Sequence, residues 1–268
     1  MRGADPEETP EELEAALEAF DRGEVEEALT LLEEVDPGVG ERWTTTAHAR
    51  VELGDLAGAE DALARARALL GTAPEVHWAE GRVRLAQWRL AEARAAFGHL
   101  DVEREGAPLL ENLALLADLS GDLRAADQLY RRAAKLDPEG SPLPPRLSPE
   151  SFEASVARAA EALPPEFRRA LEETAVVIDP MPTAQVVGAP ESGHPPDILG
   201  LFVGPVLSER AHSAPDELPP TIFLFQRNLE RAARSRGELV REIRTTLYHE
   251  LGHALGFDEE GVDALGLG

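Results

Sequence analysis

Between residues 10 and 137 apolar positions recur at spacings of three and four, the mark of helices that bury one face. A larger unit is superimposed on that spacing. It reads Gly23-x4-Ala28-x3-Leu32, then Gly54-x4-Ala59-x3-Leu63-x2-Ala66, then Trp88-x4-Ala93-x3-Phe97, then Gly121-x4-Ala126-x3-Tyr130-x2-Ala133, in steps of 31, 34 and 33 residues. The repetition predicts about four helical hairpins, with a turn at each Gly or Trp and a small Ala where helices cross closely. Each hairpin buries its apolar face only against its neighbours, so the array is a solenoid. Trp43, Trp78 and Trp88 are expected to fill gaps between its helices.

The pattern breaks at Asp137–Pro149, where five prolines in thirteen residues prevent helix continuation and predict a semi-rigid linker over 138–148. Beyond it the period changes repeatedly. Ser148 is placed to cap a helix that opens on Pro149 and carries the stripe Phe152, Val156, Ala159, Ala160 and Leu163. A short helix with Phe167, Ala170 and Leu171 follows Pro164-Pro165. Ala175–Ile178 and Gln185–Gly188 are expected as short strands, with Ile198–Val203 and Thr221–Phe225 as stronger ones. Asn228 is expected to cap a helix to about Ser235. The last helix carries Val240, Ile243, Leu247, Leu251 and Ala254 on one stripe and stops at Gly256, a natural site for φ > 0. These elements make a small α+β unit over 149–268.

The candidate chemistry sits on that last helix, in His249-Glu250-Leu251-Gly252-His253. Histidines four apart lie roughly 40° from each other on a helical wheel, so both can reach one metal ion. They project roughly 180–220° from Val240, which suits a helix with one side in a core and the other lining a cleft. Glu250, between them in sequence, is the candidate general base. A catalytic zinc takes three protein ligands, and Asp258, Glu259, Glu260 and Asp263 are the acids nearby.

Two resemblances attach to these residues. The N-terminal array is similar to tetratricopeptide (TPR) repeats, GDLRAADQLYRRAAKLDP being its best copy and Gly23–Pro37 its most degenerate. The C-terminal part resembles a family of minimal zincin metallopeptidase-like domains found in bacteria. LPPEFRRALE, LGLFVGPVLSER, the PxxIFLF strand and the terminal HExxHxxG followed by acids carry this resemblance. The fold class it implies is an N-terminal all-α TPR-like solenoid followed by a small α+β zincin-like domain. The resemblance implies one zinc ion (Zn2+), His249 and His253 as ligands, and an acidic third ligand at Glu259, six residues beyond the second histidine, with Asp258 as the alternative. It implies peptidase chemistry with Glu250 as base. No methionine follows the metal helix, so the Met-turn of the metzincins is absent. Arg210 and His212 are candidates for substrate or oxyanion contact, and His194 is expected as an exposed loop histidine.

Composition narrows the partners. A net charge of −25 disfavours nucleic acid and anionic membrane, both of which need a concentrated positive field. The absence of cysteine excludes disulfides and thiolate ligands and fits a reducing compartment. The N-terminal residues lack an apolar signal core, and no apolar run reaches the roughly 18 residues needed to span a bilayer. The expectation is a cytoplasmic protein with an acidic tail over 1–9, the repeats over 10–137, the linker over 138–148 and the metallopeptidase domain over 149–268. It is expected to be a zinc peptidase whose repeats recruit a protein substrate or partner. The alternative is an interaction scaffold whose metal domain turns over little.

Overall fold

The computed structural model describes residues 10–189, 193–206, 219–258 and 261–262. They fall into two compact units. One runs to Leu109 and includes Gly188–Pro196; the other holds Leu110–Val187 and the chain from Asp197 onward. Among the described residues no helix is long and apolar enough to cross a membrane.

The first unit is helical, with α1 (Glu11–Asp21), α2 (Val25–Glu34), α3 (Gly40–Glu52), α4 (Leu56–Leu70), α5 (Pro74–Ala86), α6 (Leu90–Phe97) and the start of α7 (Val102–Leu119). α1 packs on α2, α3 on α4 and α5 on α6, as the hairpin pattern predicts. The small residues of the pattern lie at the crossings: Ala28, Ala59, Ala62, Ala66 and Ala93 are fully buried. Gly81 serves the same end, because a Cβ there would lie 2.3 Å from the Phe97 ring. Trp78 does pack against Phe97, edge to face at 5.5 Å. Trp88 occupies the turn between α5 and α6, where the repeat pattern places it.

In the second unit the end of α7 pairs with α8 (Leu123–Leu136) through Ala114, Ala117, Ala126 and Tyr130. α9 (Pro149–Glu161) begins as expected, the Ser148 hydroxyl accepting from the Ser151 N–H. After α10 (Pro165–Glu172) come β1 (Ala175–Asp179), α11 (Ala184–Val187), β2 (Gly200–Val203), β3 (Thr221–Phe225), α12 (Gln226–Ala232) and α13 (Arg236–Ala254). The sheet order is β1-β3-β2, with β1 parallel to β3, β2 antiparallel to it, and β2 at an edge. β3 is central because TIFLF is apolar on both faces; Ile222, Leu224 and Phe225 are fully buried. Ile222 and Leu224 join Phe152, Phe167, Leu229, Ile243, Leu247 and Leu251 in one core.

Several expectations are corrected. The segment expected as a strand at Gln185–Gly188 forms the helical turn α11. The Thr183 hydroxyl accepts from the Val186 N–H at 3.3 Å, and this local cap outweighs the β-propensity of two valines that have no strand beside them. Asn228 lies within α12 and not at its start: it is buried, and its Nδ2 donates to the Ile198 carbonyl at 2.7 Å, while β2 begins at Gly200. Leu239, not Val240, takes the buried place at the start of the α13 stripe. The proline-rich stretch is fastened on both sides. Arg146 bonds Asp127 of α8 at 3.1 Å and Glu230 of α12 at 2.9 Å, and the Leu147 N–H donates to Glu230 at 2.9 Å. Arg227 of α12 also bonds Asp118 and Asp127 at 2.7 Å. These ion pairs hold α8 with the C-terminal elements inside the second unit.

Candidate active site

α13 is held on three sides before it presents any polar group. Ser235 caps its start, accepting from the Glu238 N–H at 3.2 Å, while Glu238 accepts from the Arg234 N–H at 2.9 Å. The S-x-x-E spelling of Ser235–Glu238 is the capping-box signal. Leu239, Ile243, Leu247 and Leu251 anchor one face in the core, and Tyr248 packs edge to face on Phe167 at 4.0 Å. The other face carries the polar motif.

His249 and His253 turn toward each other. Their Nε2 atoms are 3.1 Å apart and their rings are inclined at 79°. Two nitrogens bound at 2.0–2.1 Å to one tetrahedral ion lie about 3.3 Å apart, so the pair fits two positions of a zinc site. The Nδ1 of His253 is 3.0 Å from the Phe257 carbonyl. A carbonyl can only accept, so Nδ1 is the donor in this contact, and in the neutral ring that leaves the Nε2 lone pair for a metal, the arrangement metal-binding histidines use.

The end of the helix builds that contact. Gly256 has φ +94, its N–H donates to the His253 carbonyl at 2.9 Å, and the Phe257 N–H donates to the Gly252 carbonyl at 3.1 Å. This is a Schellman ending, and it carries the Phe257 carbonyl back under the imidazole. The chain then folds over the helix: Val262 is fully buried, and a Cβ on Gly252 would meet its Cγ2 at 2.8 Å. The glycine inside the motif is therefore a packing requirement.

Glu250 is buried, 7% exposed, and its Oε2 accepts from the Phe202 N–H of β2 at 2.7 Å. β2 comes this close because Gly200 has no side chain: a Cβ there would lie 2.6 Å from Thr246 Cγ2 and 3.1 Å from Glu250 Cγ. Phe202 and Gly200 were missed as site residues. A glycine opening the apolar strand GLFV was the available signal, since glycine in a strand marks close backbone approach.

The remaining candidates separate. Among the described residues no group of three or more His, Asp or Glu gathers to hold a metal. Asp258 is exposed, and its Oδ1 accepts from the Gly261 N–H at 3.0 Å, capping the turn that carries Val262. Glu259, Arg210 and His212 lie outside the described residues. His194 is half-buried, its carbonyl accepting from Trp88 Nε1 at 3.0 Å.

No curated protein matches the chain. The family model for zincin-like metallopeptidase matches residues 171–268, which span β1 to the end of the chain and include the whole motif helix, and this supports a zincin-like metallopeptidase domain in the C-terminal part.

Proposed function

We propose that the protein is a zinc-dependent peptidase in which His249, His253 and Glu259 hold the ion and Glu250 is the general base. The observation that carries this reading is the convergence of the two Nε2 atoms, 3.1 Å apart, beside a buried carboxylate on the same helix. Bound zinc supplies a Lewis acid for the scissile carbonyl and lowers the pKa of water toward neutrality. Glu250 takes the proton from the attacking water and returns it to the leaving nitrogen. The Phe202 N–H bond fixes the carboxylate for that transfer. Among the described residues β2 lies at the sheet edge, the position from which a strand aligns an extended peptide by backbone hydrogen bonding. Arg210 and His212 are proposed to contact the substrate. The helical hairpins, TPR-like in their repeat, are proposed to recruit the protein that is cut or a regulatory partner.

The test is cleavage of a diverse peptide library by the full chain, before and after metal removal. Cleavage that disappears with a chelator and returns with one equivalent of zinc supports the proposal. Cleavage indifferent to chelator overturns it. A zinc-loaded chain that cuts nothing supports the scaffold reading instead.

A further inference from the structure

Within the first compact unit, the first helices of three successive hairpins lie side by side, α3 packing against both α1 and α5. Each turns one side the same way. On α1, Leu13 and Leu17 are four positions apart; on α3, Glu41 and His48 are seven apart; on α5, Glu75 and Trp78 are three apart, all helical spacings that keep side chains on one face. These six residues line a groove of about 360 Å³, at the small end of the range for sites that take a ligand group.

The groove is chemically divided. Its α1 side is apolar, with Leu13 buried and Leu17 exposed. The side made by α3 and α5 carries two exposed carboxylates, Glu41 and Glu75, which form no ion pair among the described residues. Their neighbours are already engaged: Glu52 is paired with Arg82, and Glu105 accepts from Trp78 Nε1 at 2.6 Å. That bond and the contact with Phe97 fix the half-buried indole at the groove. His48 adds no positive charge, because burial pushes its imidazole down to about 3, and its Nδ1 is buried without a hydrogen-bond partner among the described residues. A fixed indole beside two unpaired carboxylates is complementary to a guanidinium. The ring face takes the plane of the cation, and the carboxylates accept its N–H groups.

We propose that this groove binds an arginine side chain of the recruited polypeptide: Glu41 and Glu75 accept from the guanidinium, Trp78 stacks against it, and Leu13 and Leu17 take an apolar residue beside the arginine in the same segment. The use of the site rests on the recruiting role given to the helical unit. The binding itself needs neither zinc nor cleavage.

The test is an NMR titration of the full chain with a short capped peptide that carries one Leu-Arg pair among glycines and serines, and with the same peptide holding citrulline, the neutral isostere, in place of arginine. The arginine peptide is expected to give a saturable shift at the Trp78 indole N–H and at the amides of Glu41–His48, with Kd below about 1 mM. Citrulline should bind about tenfold more weakly, as should arginine to the double variant Glu41→Gln, Glu75→Gln. Trp78→Leu should cost about fivefold. The control is Glu26→Gln with Glu27→Gln, which removes the same charge from exposed positions on α2, outside the groove, and should leave Kd within about twofold. The proposal is overturned if no saturable shift appears up to about 1 mM, if citrulline binds as well as arginine, or if the α2 pair costs as much as Glu41 and Glu75, which marks a general attraction to an acidic chain. Should Trp78→Leu fail to fold, the exposed glutamates decide. A chain that binds the peptide and cuts nothing counts against the peptidase reading alone, and one that cuts peptides without this binding overturns the groove and leaves that reading standing.

Discussion

The Phe202 N–H and the Glu250 carboxylate, 2.7 Å apart, join an edge strand to the candidate general base. A hydrogen bond to a charged group is worth about 1.5–3 kcal/mol, and here it also fixes one oxygen of the group that must move a proton. The contact depends on the bare backbone at Gly200. Gly200→Ala would place a methyl 2.6 Å from Thr246 Cγ2 and force β2 from α13. The expected loss is about 1–3 kcal/mol in urea unfolding, typical of overpacking, together with faster exchange of the Phe202 amide. Thr246→Ser removes the clashing methyl and should recover at least about 0.5 kcal/mol of that loss when combined with Gly200→Ala.

Asp258 and Glu259 are separated by a simple prediction. The Asp258 carboxylate is engaged with the Gly261 N–H at 3.0 Å. Asp258→Ala should therefore loosen the turn that carries Val262, at about 1 kcal/mol as for a lost cap, and leave zinc stoichiometry at one per chain. Glu259→Ala should weaken zinc binding by more than about 100-fold, since removing a ligand costs more than removing an outer-shell partner. Metal content after dialysis against a graded chelator reads both.

His48 gives the helical unit a pH dependence. Burial pushes its imidazole down to about 3, with the nearby Arg82 charge adding to the effect, and its Nδ1 has no hydrogen-bond partner among the described residues. Between pH 3 and about 6.5 the unfolded chain binds a proton at this residue that the folded chain does not. Stability therefore falls as pH falls through that window. At pH 5 the loss reaches up to about 2 kcal/mol relative to pH 7. Urea unfolding of wild type and His48→Gln at the two pH values should show the variant losing less by that amount.

Much of this arrangement was legible in sequence because short-range rules govern it. The turn glycines, the alanines at helix crossings, the Ser148 cap and the Gly256 stop each follow from one residue and its neighbours. The two histidines follow from helical spacing alone. Gln185–Gly188 misled because β-propensity is a statement about neighbours, and the segment has none. Asn228 was assigned a cap by its type, yet its amide is spent on the Ile198 carbonyl 30 residues away. The Arg227–Asp118 ion pair was illegible for the same reason, because it joins residues 109 apart that no periodicity announces. Phe202 contributes a backbone amide, and a side-chain inventory cannot find it.

The most direct test of the account is Glu250→Gln, assayed for cleavage beside the wild type with zinc quantified in both. The amide keeps an oxygen to accept from Phe202 and lacks the basicity to take a proton, so fold and metal content should be unchanged. The account predicts one zinc per chain in both proteins, with cleavage by the wild type and a loss of about 100- to 10,000-fold in the variant. Equal cleavage by the two zinc-loaded proteins would contradict the role given to Glu250.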